Sequence, residues 1–327
     1  MNKVTICIPT YNQEDYVEKT IRSAASQIPP PCEIIVSNDC STDGTAAILD
    51  NLAKEIEILK VIHQPVNLGV GRNPDTCLRL AESEYVVKLD SDDILLPGYI
   101  ASLSAALDRN PRAGYAHGAV REIDENGKQI RLRKLYRNKE YQDADTTLRN
   151  ALSGYRVAAN ILMFRKEALE AANFVNPTMH FAEDYYLNVS IADAGFGNAY
   201  VPEILSEYRV WEDVGNTRNK RKQVEVEGLI TVFEERIQPA FQKRGWDISK
   251  VASRRAELAR RQASALSWSI FSEEEKESLE KAILRLSDAP SVTLAIKCYR
   301  NNLGFVYDLR KNMTGFLKSA VKKVALR

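Results

Sequence analysis

Cysteine and histidine are scarce in this chain. Five cysteines (Cys7, Cys32, Cys40, Cys77, Cys298) and three histidines (His63, His117, His180) stand in 327 residues. No Cys-x-x-Cys pair occurs and the histidines lack ligand-like spacing, which argues against a zinc ribbon, a thioredoxin-type site or a local three-histidine metal site. The thiols are expected to be mostly buried and inert. Long apolar runs are also missing: no stretch approaches the roughly 18 residues of a membrane-spanning helix. The N-terminal apolar run stops at Pro9, too short for a secretory leader, so it reads as the first strand of a cytoplasmic protein. Charge of one sign is not in excess. Lys+Arg is 45 and Asp+Glu is 44, a net +1, so neither a global nucleic-acid footprint nor an acidic tail is present. Gly-x-Gly-x-x-Gly and Gly-Lys-Ser/Thr are both absent, which excludes the dinucleotide fingerprint and the P-loop.

What remains is an ordinary globular composition, 44% hydrophobic and 27% charged, long enough for one large α/β domain with an appendage. Strand-like runs at 4–8, 33–36, 58–62 and 85–89 alternate with helical periodicity at 14–27, 43–54 and 74–82. That rhythm predicts a mixed, mostly parallel sheet flanked by helices. Further on, Asn126-Gly127 predicts a hairpin between 114–123 and 128–136, and strands are expected at 158–164 and 200–210, with a helix at 182–194 between them. From about residue 220 the pattern is helical, with a capping box at Ser272-Glu273-Glu274-Glu275 and a break at Ala289-Pro290. A boundary near 218 divides a domain at 1–218 from a helical region at 219–327.

Open parallel sheets bind ligands beyond the carboxyl ends of their strands, so the residues following Ile8, Val36, Ile62 and Leu89 carry the most information. Asp90-Ser91-Asp92-Asp93 crowds three carboxylates into four residues. They repel unless a cation intervenes, and Mg²⁺ or Mn²⁺ with diphosphate oxygens would suit them. The alternative is a polar turn before the helix near Pro97. Asp39 could accept a base N–H, while Asp43 fits better as a helix cap. Tyr11 could stack on a nucleobase or pack in the core, and Asn12 could open the following helix. Gly69-Val70-Gly71-Arg72 permits close backbone approach, with Arg72 in reach of a diphosphate. Glu183-Asp184 opens a helix, either as ordinary dipole-complementing acids or with one of them as general base.

Taken in order, Pro9-Thr10-Tyr11-Asn12, Asn38-Asp39-Cys40-Ser41-Thr42-Asp43-Gly44-Thr45, Asn67-Leu68-Gly69-Val70-Gly71-Arg72-Asn73, Asp90-Ser91-Asp92-Asp93 and Glu183-Asp184 resemble the family 2 glycosyltransferases of GT-A fold over residues 1 to about 210. The resemblance implies an inverting, metal-assisted transfer of a sugar, with UDP the common donor nucleotide, to a glycan or lipid-linked hydroxyl. It implies that Pro9, Tyr11, Asn12, Asp39, Arg72, Asp90 and Ser91 serve the donor nucleotide. Asp92 would hold Mn²⁺ or Mg²⁺, Asp184 would be the base, and Glu183 and Trp211 would be secondary or acceptor contacts. Trp211 departs from the pattern, since many relatives have His shortly after the Tyr-Arg pair seen here as Tyr208-Arg209. Gly71-Arg72-Asn73-Pro74 replaces the commoner Ala-Arg-Asn, and the Gln-x-x-Arg-Trp signature of processive synthases is absent, which favours single addition. A catalytically silent binding protein of the same fold is the competing reading, with Trp211 as its support. A sugar-nucleotide pyrophosphorylase would need a glycine-rich loop after the first strand, where Pro9-Thr10-Tyr11-Asn12 stands.

The last 19 residues, 309–327, carry six basic and no acidic side chains, with Phe316, Leu317, Ala320, Val321 and Val324 near helical spacing. They read equally as a basic amphipathic helix on the inner membrane face and as a helix packed on the protein.

Overall fold

The apolar N-terminal run forms β1 (Val4–Thr10) in the computed structural model, which describes residues 4–154, 157–212 and 217–305. The strand runs two residues past its expected end at Ile8, with Pro9 opposite Ser37 and Thr10 opposite Asn38 of β2 (Glu33–Asn38). On its other side, β1 is in register with β4 (Tyr85–Lys88) only as far as Cys7. Pro9 therefore interrupts no ladder there. The sheet order is β3-β2-β1-β4-β9-β6-β10-β5, where β3 is Leu59–His63, β5 Ile94–Leu95, β6 Ala113–Ile123, β9 Leu162–Arg165 and β10 Gly197–Arg209. β7 (Gln129–Arg133) pairs with β6, and β8 (Tyr141–Gln142) with β10. β1, β2, β3 and β4 are parallel, β6 and β10 are parallel, and β9 runs antiparallel between β4 and β6.

Alternation along the strands sets the two faces. Ile6, Ile8, Ile34, Val36, Tyr85, Val87 and Leu89 pack under α1 (Val17–Ala25), α2 (Thr45–Glu55) and α4 (Tyr99–Arg109). Cys7, Ile35 and Val86 point the other way, against Cys77 and Leu78 of α3 (Gly69–Arg79) and Leu187 and Ile191 of α7 (Glu183–Asp193). Two short helices, α5 (Ala144–Ala151) and α6 (Lys166–Ala171), follow β8 and β9 respectively in sequence. Lys88, two residues beyond Val86 in β4, belongs by this alternation to the face that α3 and α7 cover.

Several boundaries differ from the sequence pattern for physical reasons. α1 starts at Val17 rather than Glu14, because Asn12 takes φ 51° and a turn intervenes. α3 starts at Gly69 rather than Pro74, capped from β2 as described below. β9 is shorter than 158–164, since Ala158, Ala159 and Ile161 enter the core ahead of the ladder. Of the five free thiols only Cys7 and Cys77, inside the sheet and α3, are buried; Cys32 and Cys40 are exposed on loops and Cys298 is partly covered. The hairpin forms as expected, with Gly127 at φ +84° and the Asp124 carboxylate accepting from the Asn126 and Lys128 N–H groups.

The chain divides into two units, Met1–Glu212 and Asp213–Arg327. The second is helical through its described residues. Val226, Ile230, Leu279, Ile283, Leu286, Val292 and Ile296 form its core. Ser272 and Glu275 make the expected capping box, and a new helix starts at Pro290. Residues 309–327, the basic tail, lie outside the described residues. No described helix is long and apolar enough to cross a membrane.

Candidate active site

The ends of β1, β2 and β4, with α3 and the start of α7, surround a cavity of about 480 Å³. Eight of the residues singled out in the sequence line it: Pro9, Tyr11, Asp39, Asp90, Ser91, Asp92, Glu183 and Asp184. Asn12, Arg72 and Trp211 stand off its wall. Asn12 ties two loops together instead. Its Oδ1 accepts from the Thr42 N–H at 2.8 Å, and its own N–H donates to Ser41 Oγ at 2.9 Å. Arg72 is exposed on α3, while its neighbours Val70 and Asn73 face the cavity.

Asp39 is buried at the end of β2, and both its oxygens are engaged. The Leu68 N–H donates to Oδ1 at 2.6 Å and the Gly69 N–H to Oδ2 at 2.9 Å. A carboxylate at a helix N-terminus satisfies orphan donors and complements the dipole. That contact starts α3 at Gly69 and fixes the glycine segment against the strand end. Asp43 caps α2 in the same manner, accepting from the Thr45 N–H at 3.0 Å. Gly71 admits no side chain: a Cβ there would lie 2.6 Å from the Met179 carbonyl oxygen and 2.8 Å from that of Pro177. The glycine thus lets α3 abut the loop that leads into Glu183-Asp184. Ala182 closes that loop in the left-handed region at φ 62°, an uncommon conformation for a residue with a Cβ.

The floor of the cavity carries a residue that the sequence reading missed. Lys88 is 4% exposed, and its Nζ lies 2.9 Å from Asp90 Oδ1 and 3.5 Å from Asp184 Oδ1. Burial pulls the ammonium pKa down, but the Asp184 and Asp90 carboxylates outweigh it and the net shift is upward. Lys88 stays charged. Asp184 is pushed up to about 7 by burial, against the pull of Lys88 and with help from Glu183 and Asp90. A buried carboxyl that titrates near neutrality suits general base work. The available signal was a lysine closing the apolar run Tyr85-Val86-Val87 two residues before Asp90, since a lysine in a buried strand requires partners.

Asp92 is held from one side. The Trp211 indole N–H donates to Oδ2 at 2.7 Å, and the Trp211 ring packs edge-on against Tyr16 at 5.1 Å. Arg209 supports the same loop: Nε donates to the Asp92 carbonyl at 3.0 Å and its backbone N–H to Asp93 Oδ1 at 2.8 Å. Burial first, and then neighbouring carboxylates, push Asp92 and Asp93 above the ordinary range. The donor set is hard oxygen under mutual repulsion, which fits a divalent cation. Among the described residues no three His, Cys, Asp or Glu side chains form a metal cage. The fit is therefore to an ion that takes one or two carboxylates here and completes its shell from phosphate and water.

The architecture is that of the GT-A glycosyltransferases. The chain superposes on a crystal structure of Staphylococcus aureus TarS residues 1–349 with a TM-score of 0.66 at 17% identity, over 95% of this chain and 91% of that one; the same fragment in complex with UDP gives the same score. Residues 5–171 match Glycosyl transferase family 2, and the chain belongs to that family. It is 27% identical over 244 residues to the putative teichuronic acid biosynthesis glycosyltransferase TuaG of Bacillus subtilis, covering 74% of this chain and 92% of that protein. It is 30% identical over 190 residues to the GalNAc(5)-diNAcBac-PP-undecaprenol beta-1,3-glucosyltransferase of Campylobacter jejuni, covering 58% of this chain and 57% of that protein. The chain thus spans nearly all of the first relative and little more than half of the second.

Proposed function

We propose that residues 1–218 transfer a sugar with inversion from a uridine-diphosphate sugar to a hydroxyl of a glycan or lipid-linked acceptor, one residue per encounter, and that 219–327 serve acceptor or partner contacts. The observation that carries this reading is the grouping of Lys88, Asp90, Asp92 and Asp184 on one cavity, with Asp184 titrating near 7. The UDP complex of TarS supports the donor, and the undecaprenol-linked acceptor in the name of the Campylobacter relative supports the acceptor class.

In this scheme Asp184 takes the proton of the attacking hydroxyl as its oxygen bonds to the anomeric carbon. The bond from that carbon to the diphosphate breaks, and its electron pair leaves with UDP. One base suffices for a single displacement, whereas retention by double displacement would require a carboxylate nucleophile as well. Lys88 draws the Asp184 pKa down against burial, so that a substantial fraction is ionised at neutral pH, and adds positive charge where the diphosphate departs. Tyr11 and Pro9 line the nucleoside side, and Asp39 keeps lone pairs for a base edge after capping α3. Asp92, with Asp90 beside it, would hold Mn²⁺ or Mg²⁺, which neutralises a leaving diphosphate when bound.

Thermal shift with uridine, guanosine, cytidine and thymidine diphosphates, each with and without Mn²⁺, tests the donor site. A ligand at about a hundred times its Kd adds about 2.7 kcal/mol of stability. UDP with Mn²⁺ is expected to raise the Tm, and Asp92→Ala to abolish the metal-dependent part. A Tm unmoved by every nucleotide would replace this reading with a silent binding protein.

A further inference from the structure

The β6–β7 hairpin carries a surface outside the cavity described above. From Lys128 to Lys139 there are six basic side chains and no acidic one. Three of the six are structurally committed. Arg131 and Arg133 both reach the buried Glu122 carboxylate, the latter at 3.0 Å, and Arg137 donates to Asn198 Oδ1 at 2.5 Å. The side chains of Lys128, Lys134 and Lys139 are exposed and have no ion-pair partner among the described residues. Interleaved with them stand Ile130 at 52% exposure, Leu132 at 45% and a fully exposed Tyr136.

Ile130 and Leu132 share one face of β7, opposite the arginines that hold Glu122. β7 pairs only with β6, so among the described residues its outer edge is free. A solvated edge strand is commonly protected by charged side chains, proline, a bulge or a covering element. Here the charges are accompanied by three large side chains with apolar surface left in solvent, two of them about half exposed and Tyr136 fully so. Placement adds a second observation. Arg209 donates through one guanidinium nitrogen to the carbonyls of Asp124 at 2.6 Å and Glu125 at 3.0 Å, and through Nε to the Asp92 carbonyl. The hairpin turn is therefore one side chain away from the carboxylate end of the cavity.

We propose that the hairpin strip 128–139 docks the protein onto an anionic lipid surface, with Ile130, Leu132 and Tyr136 entering the headgroup boundary and Lys128, Lys134 and Lys139 meeting lipid phosphates. Mixed cations and apolar tips suit an interface that is charged above and apolar below. A soluble polyanion would need only the cations. Docked this way, the cavity mouth near Asp92 lies beside the lipid surface, which deepens the acceptor reading without depending on it.

Co-sedimentation of the full chain with vesicles tests this in the absence of donor and acceptor. The wild type is expected to pellet with phosphatidylcholine vesicles containing phosphatidylglycerol and to stay in solution with phosphatidylcholine alone. Lys128→Gln/Lys134→Gln/Lys139→Gln should lower partitioning by roughly a hundredfold, at about one charge-worth of attraction per lysine. Ile130→Ser/Leu132→Ser/Tyr136→Ser should lower it by about tenfold or more. Every arm keeps residues 309–327, so a difference between arms belongs to the hairpin. Equal pelleting of all three proteins, or no pelleting of the wild type, overturns the proposal. So does unchanged binding by the serine variant together with full displacement by dextran sulfate, since that result describes a polyanion site. The UDP-dependent Tm shift, measured on the same samples, reports the donor site separately.

Discussion

Lys88 and His117 show two contrasting ways in which the sheet buries an ionisable group. Lys88 and Asp184 meet at the end of β4, each with an opposite charge beside it and a cavity in front. His117 lies inside β6, 1% exposed, against the rings of Tyr115 and Tyr200, and neither ring nitrogen has a hydrogen-bond partner among the described residues. Burial, with the Arg137 guanidinium adding to it, pushes the His117 pKa down to about 3. Paired burial preserves charge where chemistry needs it, and unpaired burial removes the charge and leaves a packing ring. The pH consequences run in opposite directions. Asp184 has a raised pKa, so its contribution to stability is present in acid and is lost as pH rises through about 7. His117 has a depressed pKa, so its contribution is present above about 6.5 and is lost as pH falls toward 3.

The sharpest way to break the comparison is to remove the base. Asp184→Asn is expected to lower kcat by about a thousandfold while leaving the UDP-dependent Tm shift intact, within the usual range for general base catalysis. In the wild type, kcat/KM should fall about tenfold per pH unit below about 7 as Asp184 takes up a proton. Retained turnover in Asp184→Asn would move the base elsewhere.

Lys88→Met tests the pairing itself. The variant keeps the stem of the side chain and leaves Asp90 and Asp184 without their shared cation. Breaking a buried pair from one side costs about 3–5 kcal/mol, and Asp184 loses the interaction that lowers its pKa. The acid limb of the pH profile should move upward by at least about one unit, together with a lower Tm. A lower Tm with an unmoved pH profile would make Lys88 structural only.

The same contrast explains what could be read from the chain in advance. The alternation of strands and helices, the hairpin and the carboxylates after β4 are local signals, set by period, turn chemistry and strand ends. Lys88 carried a local signal as a lysine in a buried strand, but its role was not legible, because that comes from Asp184, 96 positions later, and only the fold brings them together. Arg72 shows the limit from the other side. Its type suits a diphosphate, but α3 begins five residues earlier than Pro74 suggests. That start leaves Arg72 on the outer surface, while Asp39 caps α3 and still lines the cavity. His117 lies in a strand that the sequence pattern places correctly, yet its neutrality depends on Tyr200 from β10 and Arg137 beyond β7.

His117→Phe sharpens the unpaired half. The contribution of His117 to wild-type stability should fall by about 3 kcal/mol between about pH 7 and pH 4, since the unfolded chain binds a proton that the folded chain refuses, while the Asp184 contribution, of opposite sign, is common to both proteins. The variant should lose that part of the slope, whatever its stability at neutral pH. Urea unfolding at the two pH values measures the difference. An equal slope in both proteins would show that His117 is hydrated or partnered in solution.

Trp211 supplies the smallest and most specific test, because it touches the cavity only through one oxygen of Asp92. Its N–H fixes one oxygen of Asp92 and leaves Oδ1 for a cation, while the ring stays seated on Tyr16. Trp211→Phe keeps the aromatic contact and removes only the hydrogen bond, worth about 1.5–3 kcal/mol to a charged acceptor and less at a partly exposed site such as this. Mn²⁺-dependent binding of UDP should weaken by about three- to tenfold, with metal-free binding and the Tm of the free protein nearly unchanged. Equal weakening with and without Mn²⁺ would assign Trp211 to the nucleotide or to general packing. Tighter Mn²⁺ binding would show that the indole restrains Asp92 from a second contact, so the bond would act as a brake on the metal site.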